Sequence, residues 1–135
     1  MYLLTIKPKY GIFIQVINMS NSILRDKSKS LAKKIVILCK DLQKVKVPSA
    51  LINQILRSGT SVGANIYEAQ YAQGKADFIS KLEISLKECN ETEYWLELLY
   101  ETNYLTQQVY TEILQLCGSI RKMLISSVKT VKAST

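Results

Sequence analysis

The side chains with the most to do chemically in this chain are its cations. Arg25, Lys27, Lys29, Lys33, Lys34, Lys40, Lys44 and Lys46 put eight positive charges in a stretch holding only two acids, Asp26 and Asp41. Arg121, Lys122, Lys129 and Lys132 add to them near the end. Clustered ammonium and guanidinium groups make and break no bonds by themselves. They attract polyanions, and each phosphate they neutralise releases condensed counterions. The overall balance agrees: 18 Lys and Arg against 11 Asp and Glu leave a formal charge of +7. RNA, DNA or an anionic surface are the partners such a charge admits. The acids gather elsewhere, with Glu83, Glu88, Glu91, Glu93, Glu97 and Glu101 against Lys87 alone.

Bond-making chemistry lacks its usual parts. The chain has no histidine, which removes the common general base near neutral pH and the commonest metal ligand. No Ser-His or Cys-His nucleophile can be assembled. Glu68, Glu88 and Glu91 invite a ferritin-like metal reading, but that architecture needs Glu-x-x-His, so no metal site is expected. Cys39, Cys89 and Cys117 are widely spaced and form no C-x-x-C pair. They read as reduced, buried thiols of a cytoplasmic protein rather than as ligands or a disulfide framework. The run Gly59-Thr60-Ser61-Val62-Gly63 lacks the G-K-[S/T] ending of a phosphate loop and follows no strand. No cofactor and no enzymatic activity are expected.

The elements that must position these residues are helices. Gly numbers 5 and Pro 2 in 135 residues, too few breakers for many short strands. A first helix is predicted from about Ser22 to Lys44, with Leu24, Lys27, Leu31, Ile35, Leu38 and Leu42 on one stripe. A second opens at Pro48 and runs to about Tyr71, with Leu51, Ile55, Val62, Ile66 and Ala69 inward. Gly59, Gly63 and Ala64 would let a neighbouring helix approach closely. A third spans Lys75 to about Thr102, with Phe78, Leu82, Ser85, Leu86, Cys89, Thr92, Leu96 and Leu99 inward. Asn103 can end it in a left-handed conformation. A fourth follows the N-cap candidate Thr106 and runs to about Lys129. Short connections make neighbours antiparallel, so the fold class is an all-α, up-down-up-down four-helix bundle. It occupies residues 19–130. Residues 1–18 read as a poorly specified N-terminal extension, and residues 131–135 as a frayed tail. The apolar stretch Tyr10 to Ile17 is too short to span a membrane, and no membrane partner is expected.

Several runs carry a family resemblance. Leu56-Arg57-Ser58-Gly59-Thr60-Ser61-Val62-Gly63-Ala64-Asn65-Ile66, Glu68-Ala69-Gln70 and Lys75-Ala76-Asp77-Phe78 resemble the signature of the bundle proteins first noted as products of 23S rRNA intervening sequences. So does Leu86-Lys87-Glu88-Cys89-Asn90-Glu91-Thr92-Glu93-Tyr94-Trp95-Leu96. The similarity covers roughly residues 20 to 130 and starts beside Met19. Gly74 stands where the family more often has Ser, which implies a weaker cap on the third helix. The resemblance implies a bacterial protein that forms a homopentameric, barrel-like ring. One branch of the family is the accessory protein of diversity-generating retroelements, a basic protein that binds nucleic acid and partners a reverse transcriptase. Most members have no established activity.

Two readings of the charge follow. In one, a nucleic-acid backbone meets Arg25, Lys27, Lys29, Lys33, Lys34, Lys40, Lys44, Arg121 and Lys122 with little sequence specificity. In the other, the basic first helix meets the acidic third helix of a neighbouring subunit through Glu93, Glu97 and Trp95, closing a ring of head-to-tail contacts. A protein–protein scaffold, one accessory to a reverse transcriptase included, is the alternative function. Base-specific readout is not expected, because no helix-turn-helix, zinc-finger, RNA-recognition-motif or KH signature is present. Tyr67, Tyr71, Tyr94, Trp95, Tyr100, Tyr104 and Tyr110 fit packing or a subunit interface better than base stacking. Arg57, Ser58, Gly59, Ser61, Gly63, Asn65 and Glu68 are read as a structural motif. In it, Asn65 and Glu68 join Arg57 or Thr92 in a buried polar network that fixes register.

Overall fold

A computed structural model describes the backbone of residues 11–134 and the side chains of residues 23–134. It consists of four helices: α1 (Gly11–Lys44), α2 (Ser49–Ala69), α3 (Lys75–Glu101) and α4 (Gln107–Ala133). Each helix packs on two neighbours, in the order α1–α2, α2–α3, α3–α4 and α4–α1. That is the square arrangement of an antiparallel bundle, and no strand occurs among the described residues.

The turns follow from local chemistry. Lys46 adopts φ 61°, Val47 N–H donates to the Leu42 carbonyl (3.1 Å) and Lys46 N–H to that of Gln43 (3.1 Å). Asn103 repeats this at the end of α3, with φ 67° and Tyr104 N–H donating to Leu99 O (2.9 Å). Both are Schellman closures that satisfy the last carbonyls of a helix. Thr106 caps α4, its hydroxyl accepting from Val109 N–H at 3.2 Å. Gly74 gives α3 no side-chain cap; nearby, the Asp77 carboxylate accepts from Gln73 N–H at 3.1 Å.

The core is one continuous stripe from each helix, including Leu31, Ile35, Ile55, Val62, Leu82, Leu96, Ile120 and Leu124. Its narrowest seam is α1–α2. A Cβ on Gly59 would lie 2.7 Å from Ile35 Cγ1, and one on Gly63 would lie 3.3 Å from Ser28 Oγ. The two glycines therefore remove bulk where the helices come closest, and they sit in α2 despite costing about 1 kcal/mol each in helix propensity.

Two boundaries differ from the sequence reading. The backbone of α1 is helical from Gly11, because nothing between Ile12 and Lys44 is a glycine or proline that would stop it. Residues 11–18 therefore continue α1; the rest of the expected extension, residues 1–10, lies outside the described residues. The tail does not fray at Val131. That side chain is fully buried, α4 continues to Ala133, and the Ser134 carbonyl accepts from the Lys75 ammonium. Val131 simply extends the stripe that holds Leu124 and Val128.

Candidate nucleic-acid interface

The bundle sorts the basic residues into two groups. Each residue turns a helix by about 100°, so Arg25, Lys29, Lys33, Lys40 and Lys44 fall within one arc of α1. All five are exposed. Among the described residues only Lys44 has an ion-pair partner, Asp41 at 3.9 Å, with both side chains largely in solvent. Such an exposed pair contributes little. The other group has partners within the chain, Lys34 in a pair whose two side chains are both partly in solvent. Lys27 donates to Ser119 Oγ at 2.8 Å, and Lys34 pairs with Glu112, both across the α1–α4 seam. Arg121 forms an ion pair with Glu93 across α3–α4. Lys122 is exposed on α4, on the side turned away from the core.

The expected nucleic-acid set therefore divides. Arg25, Lys29, Lys33, Lys40 and Lys44 share a face; Lys27, Lys34 and Arg121 act as internal ties; Lys122 stands apart.

The acidic helix is divided in the same way. Glu88 and Glu91 both pair with Arg57, the first at 2.7 Å. Glu93 pairs with Arg121, and Glu83 with Lys132 at 3.1 Å. Of the six acids, Glu97 and Glu101 alone have no ion pair among the described residues. Glu93, expected to face a neighbouring subunit, instead closes the molecule on itself. Trp95 is half-buried and donates its indole N–H to Glu91 at 3.3 Å, so it too is committed within the chain.

The register-fixing network exists with other members. Its centre is the α2–α3 seam, where Thr92 Oγ1 donates to Ser58 Oγ (3.0 Å) and Ser85 Oγ to the Val62 carbonyl (2.8 Å). Ser58, Ser85 and Thr92 are fully buried, and Glu88 is 8% exposed. The Arg57 guanidinium beside Glu91 holds that carboxyl below the usual glutamate range. Asn65 and Glu68 lie outside the network. Asn65 Nδ2 bonds back to Ser61 O at 2.9 Å, and Glu68 is exposed. Glu88 and Glu91 were missed as partners of Arg57. The available signal was an acid on the inner stripe of the third helix and a single cation in the second.

The aromatic residues sort as well. Tyr100 and Tyr110 stack with centroids 4.4 Å apart between α3 and α4, and burial raises the Tyr110 hydroxyl. Tyr94 lies edge-on to Trp95 at 4.9 Å. Tyr67 on α2 and Tyr71 in the turn that follows it are exposed, with rings 5.5 Å from each other. The three thiols are free and buried, and burial raises Cys39 while the contact with Cys89 raises Cys117. Among the described residues no group of three or more His, Cys, Asp or Glu is placed to hold a metal, and no helix is long and apolar enough to cross a membrane.

A basic chain folded as four antiparallel helices, with an exposed cationic stripe on α1, belongs to the class of small all-α four-helix bundles. Residues 20–126 match the model of the 23S rRNA-intervening sequence proteins, and the chain belongs to that family. It is also similar to a solved structure from Bacteroides thetaiotaomicron, a protein of unknown function assigned to the S23 ribosomal protein family. The two share 50% identity, with a TM-score of 0.77 over 82% of this chain and 98% of the other. No curated protein matches the chain.

Proposed function

We propose that the protein is a non-enzymatic nucleic-acid-binding module that holds the phosphate backbone on the outer face of α1, with little sequence specificity. The observation that carries this reading is the state of the charges. Arg25, Lys29, Lys33 and Lys40 are exposed without ion-pair partners among the described residues, while four of the six α3 glutamates are engaged within the chain. A neighbour's α3 therefore has little free acid to offer the basic stripe, and an external polyanion is its better complement. Lys27, Lys34 and Arg121 contribute to the fold rather than to the interface. A cytoplasmic setting suits three unpaired thiols.

The experiment is binding of generic RNA and duplex DNA across a salt series. Affinity should fall steeply with salt, and Lys33→Glu with Lys40→Glu should flatten the slope by about 1 to 2 in log–log form on duplex DNA. Binding that ignores salt, or none at low salt, overturns the proposal.

A second reading has its own support. Tyr94, Glu97 and Glu101 remain exposed on α3, and Glu97, unlike Glu93, has no ion pair among the described residues. They suit a protein partner, a second copy in a homopentameric ring or a reverse transcriptase, and such a ring is compatible with a nucleic-acid face on α1. Light scattering at the monomer mass of 15.3 kDa would exclude the ring.

A further inference from the structure

A groove of about 540 Å³ lies between α1 and α2, directly beside the basic stripe. Its size is within the range of small-ligand sites. Its wall on α1 carries Arg25 and Lys29, and its wall on α2 carries Tyr67 and Glu68. Between these walls the lining includes the small residues Ala32, Gly63 and Ala64. Gly63 lets the two walls approach, because an added Cβ would lie 3.3 Å from Ser28 Oγ. Glu68 lines the same groove as two cations and yet forms no ion pair with either. The groove thus holds apart a cationic wall, a flat aromatic face and a carboxylate acceptor.

We infer that this groove is a nucleotide subsite for single-stranded nucleic acid. A phosphate sits on Arg25 and Lys29. The adjoining base lies over the small lining residues against the Tyr67 ring, and Glu68 accepts hydrogen bonds from N–H donors on the base edge. The assignment rests on the nucleic-acid reading of the α1 face and narrows it. A nucleotide is anionic at one end, flat and apolar in the middle and rich in donors at the edge, which is the order in which the groove presents its complements. Guanine suits Glu68 best, since its N1–H and exocyclic amino group form a donor pair facing one carboxylate. Uracil offers a single donor beside two carbonyls that a carboxylate repels. A duplex cannot use the groove, because its bases are already stacked and paired.

The test is fluorescence anisotropy at fixed low salt with three probes: a short uridine oligomer, the same oligomer carrying one guanosine, and an RNA duplex. The parent should prefer the guanosine-bearing strand. Tyr67→Ala should weaken both single strands by about tenfold, the effect of losing one base–aromatic stack, and leave the duplex unchanged. Glu68→Ala should abolish the guanosine preference alone. Ala64→Trp, which fills the groove without touching a charge, should act like Tyr67→Ala. Tyr67, Ala64 and Glu68 are exposed, and unchanged thermal melts confirm that the variants fold. If Tyr67→Ala and Ala64→Trp bind single strands like the parent while Lys33→Glu with Lys40→Glu does not, the subsite is wrong and the α1 face stands. If the parent binds none of the probes, both fall. If Ala64→Trp lowers the particle mass in solution, the groove is a contact between copies and the subsite is overturned.

Discussion

The inward sides of α2 and the outward side of α1 are built from similar residue types and use them in opposite ways. On the side of α2 that faces α3, Arg57, Ser58 and the Val62 carbonyl are answered from within. Arg57 holds Glu88 and Glu91, Ser58 accepts from Thr92, and the Val62 carbonyl accepts from Ser85. On α1 the exposed cations Arg25, Lys29, Lys33 and Lys40 have no such answer among the described residues. A charge in a seam is costly unless paired, so its partner is part of the fold. A charge on the outer face is already solvated, so it is free to serve a ligand. The two regions should therefore fail differently when altered, one in stability and the other in binding.

The largest expected effect is at the closest approach of α1 and α2. Gly59→Leu would drive a side chain into Ile35, which is fully buried and has no room to yield. We expect a loss of about 3 kcal/mol in urea unfolding, the upper part of the usual overpacking range. A parent-like midpoint would mean that the two helices are not in contact there.

Arg57→Ala comes next. It strands Glu88, 8% exposed, and removes a partner of Glu91, but the guanidinium is itself half in solvent. We expect about 1 to 2 kcal/mol, the cost of an unsatisfied charged acceptor reduced for exposure. The pH dependence gives a sharper signature. Arg57 lowers the Glu91 pKa in the folded state. A lowered folded pKa contributes stability that is present above the unfolded value and lost as pH falls through the folded one. The parent should thus lose more stability than Arg57→Ala between neutral pH and the acid side of the glutamate range. Equal losses in urea midpoints across that range would show that the ion pair adds nothing to folding.

The same contrast explains what could be read without coordinates. Periodicity located four helices, the Thr106 cap and the left-handed Asn103, because each is a local property of a few adjacent residues. It also placed Ser85, Cys89 and Thr92 on an inner face. It could not tell which cation meets which acid. Arg57 with Glu88 and Arg121 with Glu93 join residues some thirty positions apart on different helices, and their meeting depends on the rotation and axial offset of both. Helical spacing leaves those undetermined to within a turn. The same limit left the Glu93–Arg121 pair unforeseen and put Asn65 and Glu68 in a network whose buried members are Ser58, Ser85 and Thr92. Val45-Lys46-Val47 reads as the connector between α1 and α2, but not as a left-handed closure, because it carries none of the glycine or asparagine that usually marks one.

The smallest expected effect on stability is the most informative about the outer face. Lys33→Glu with Lys40→Glu changes two exposed side chains that make no ion pair among the described residues, so nothing in the fold depends on them. Unfolding should shift by no more than about 0.5 kcal/mol, and the like-charge repulsion relieved along α1 favours a slight gain. Nucleic-acid affinity should nevertheless fall, and fall most at low salt, where screening is weakest. A destabilised double variant would place these lysines in the same category as Arg57 and remove the distinction between the two regions. An intact fold with lost binding would fix it, because the interior would then be shown to leave α1 its charges for use outside.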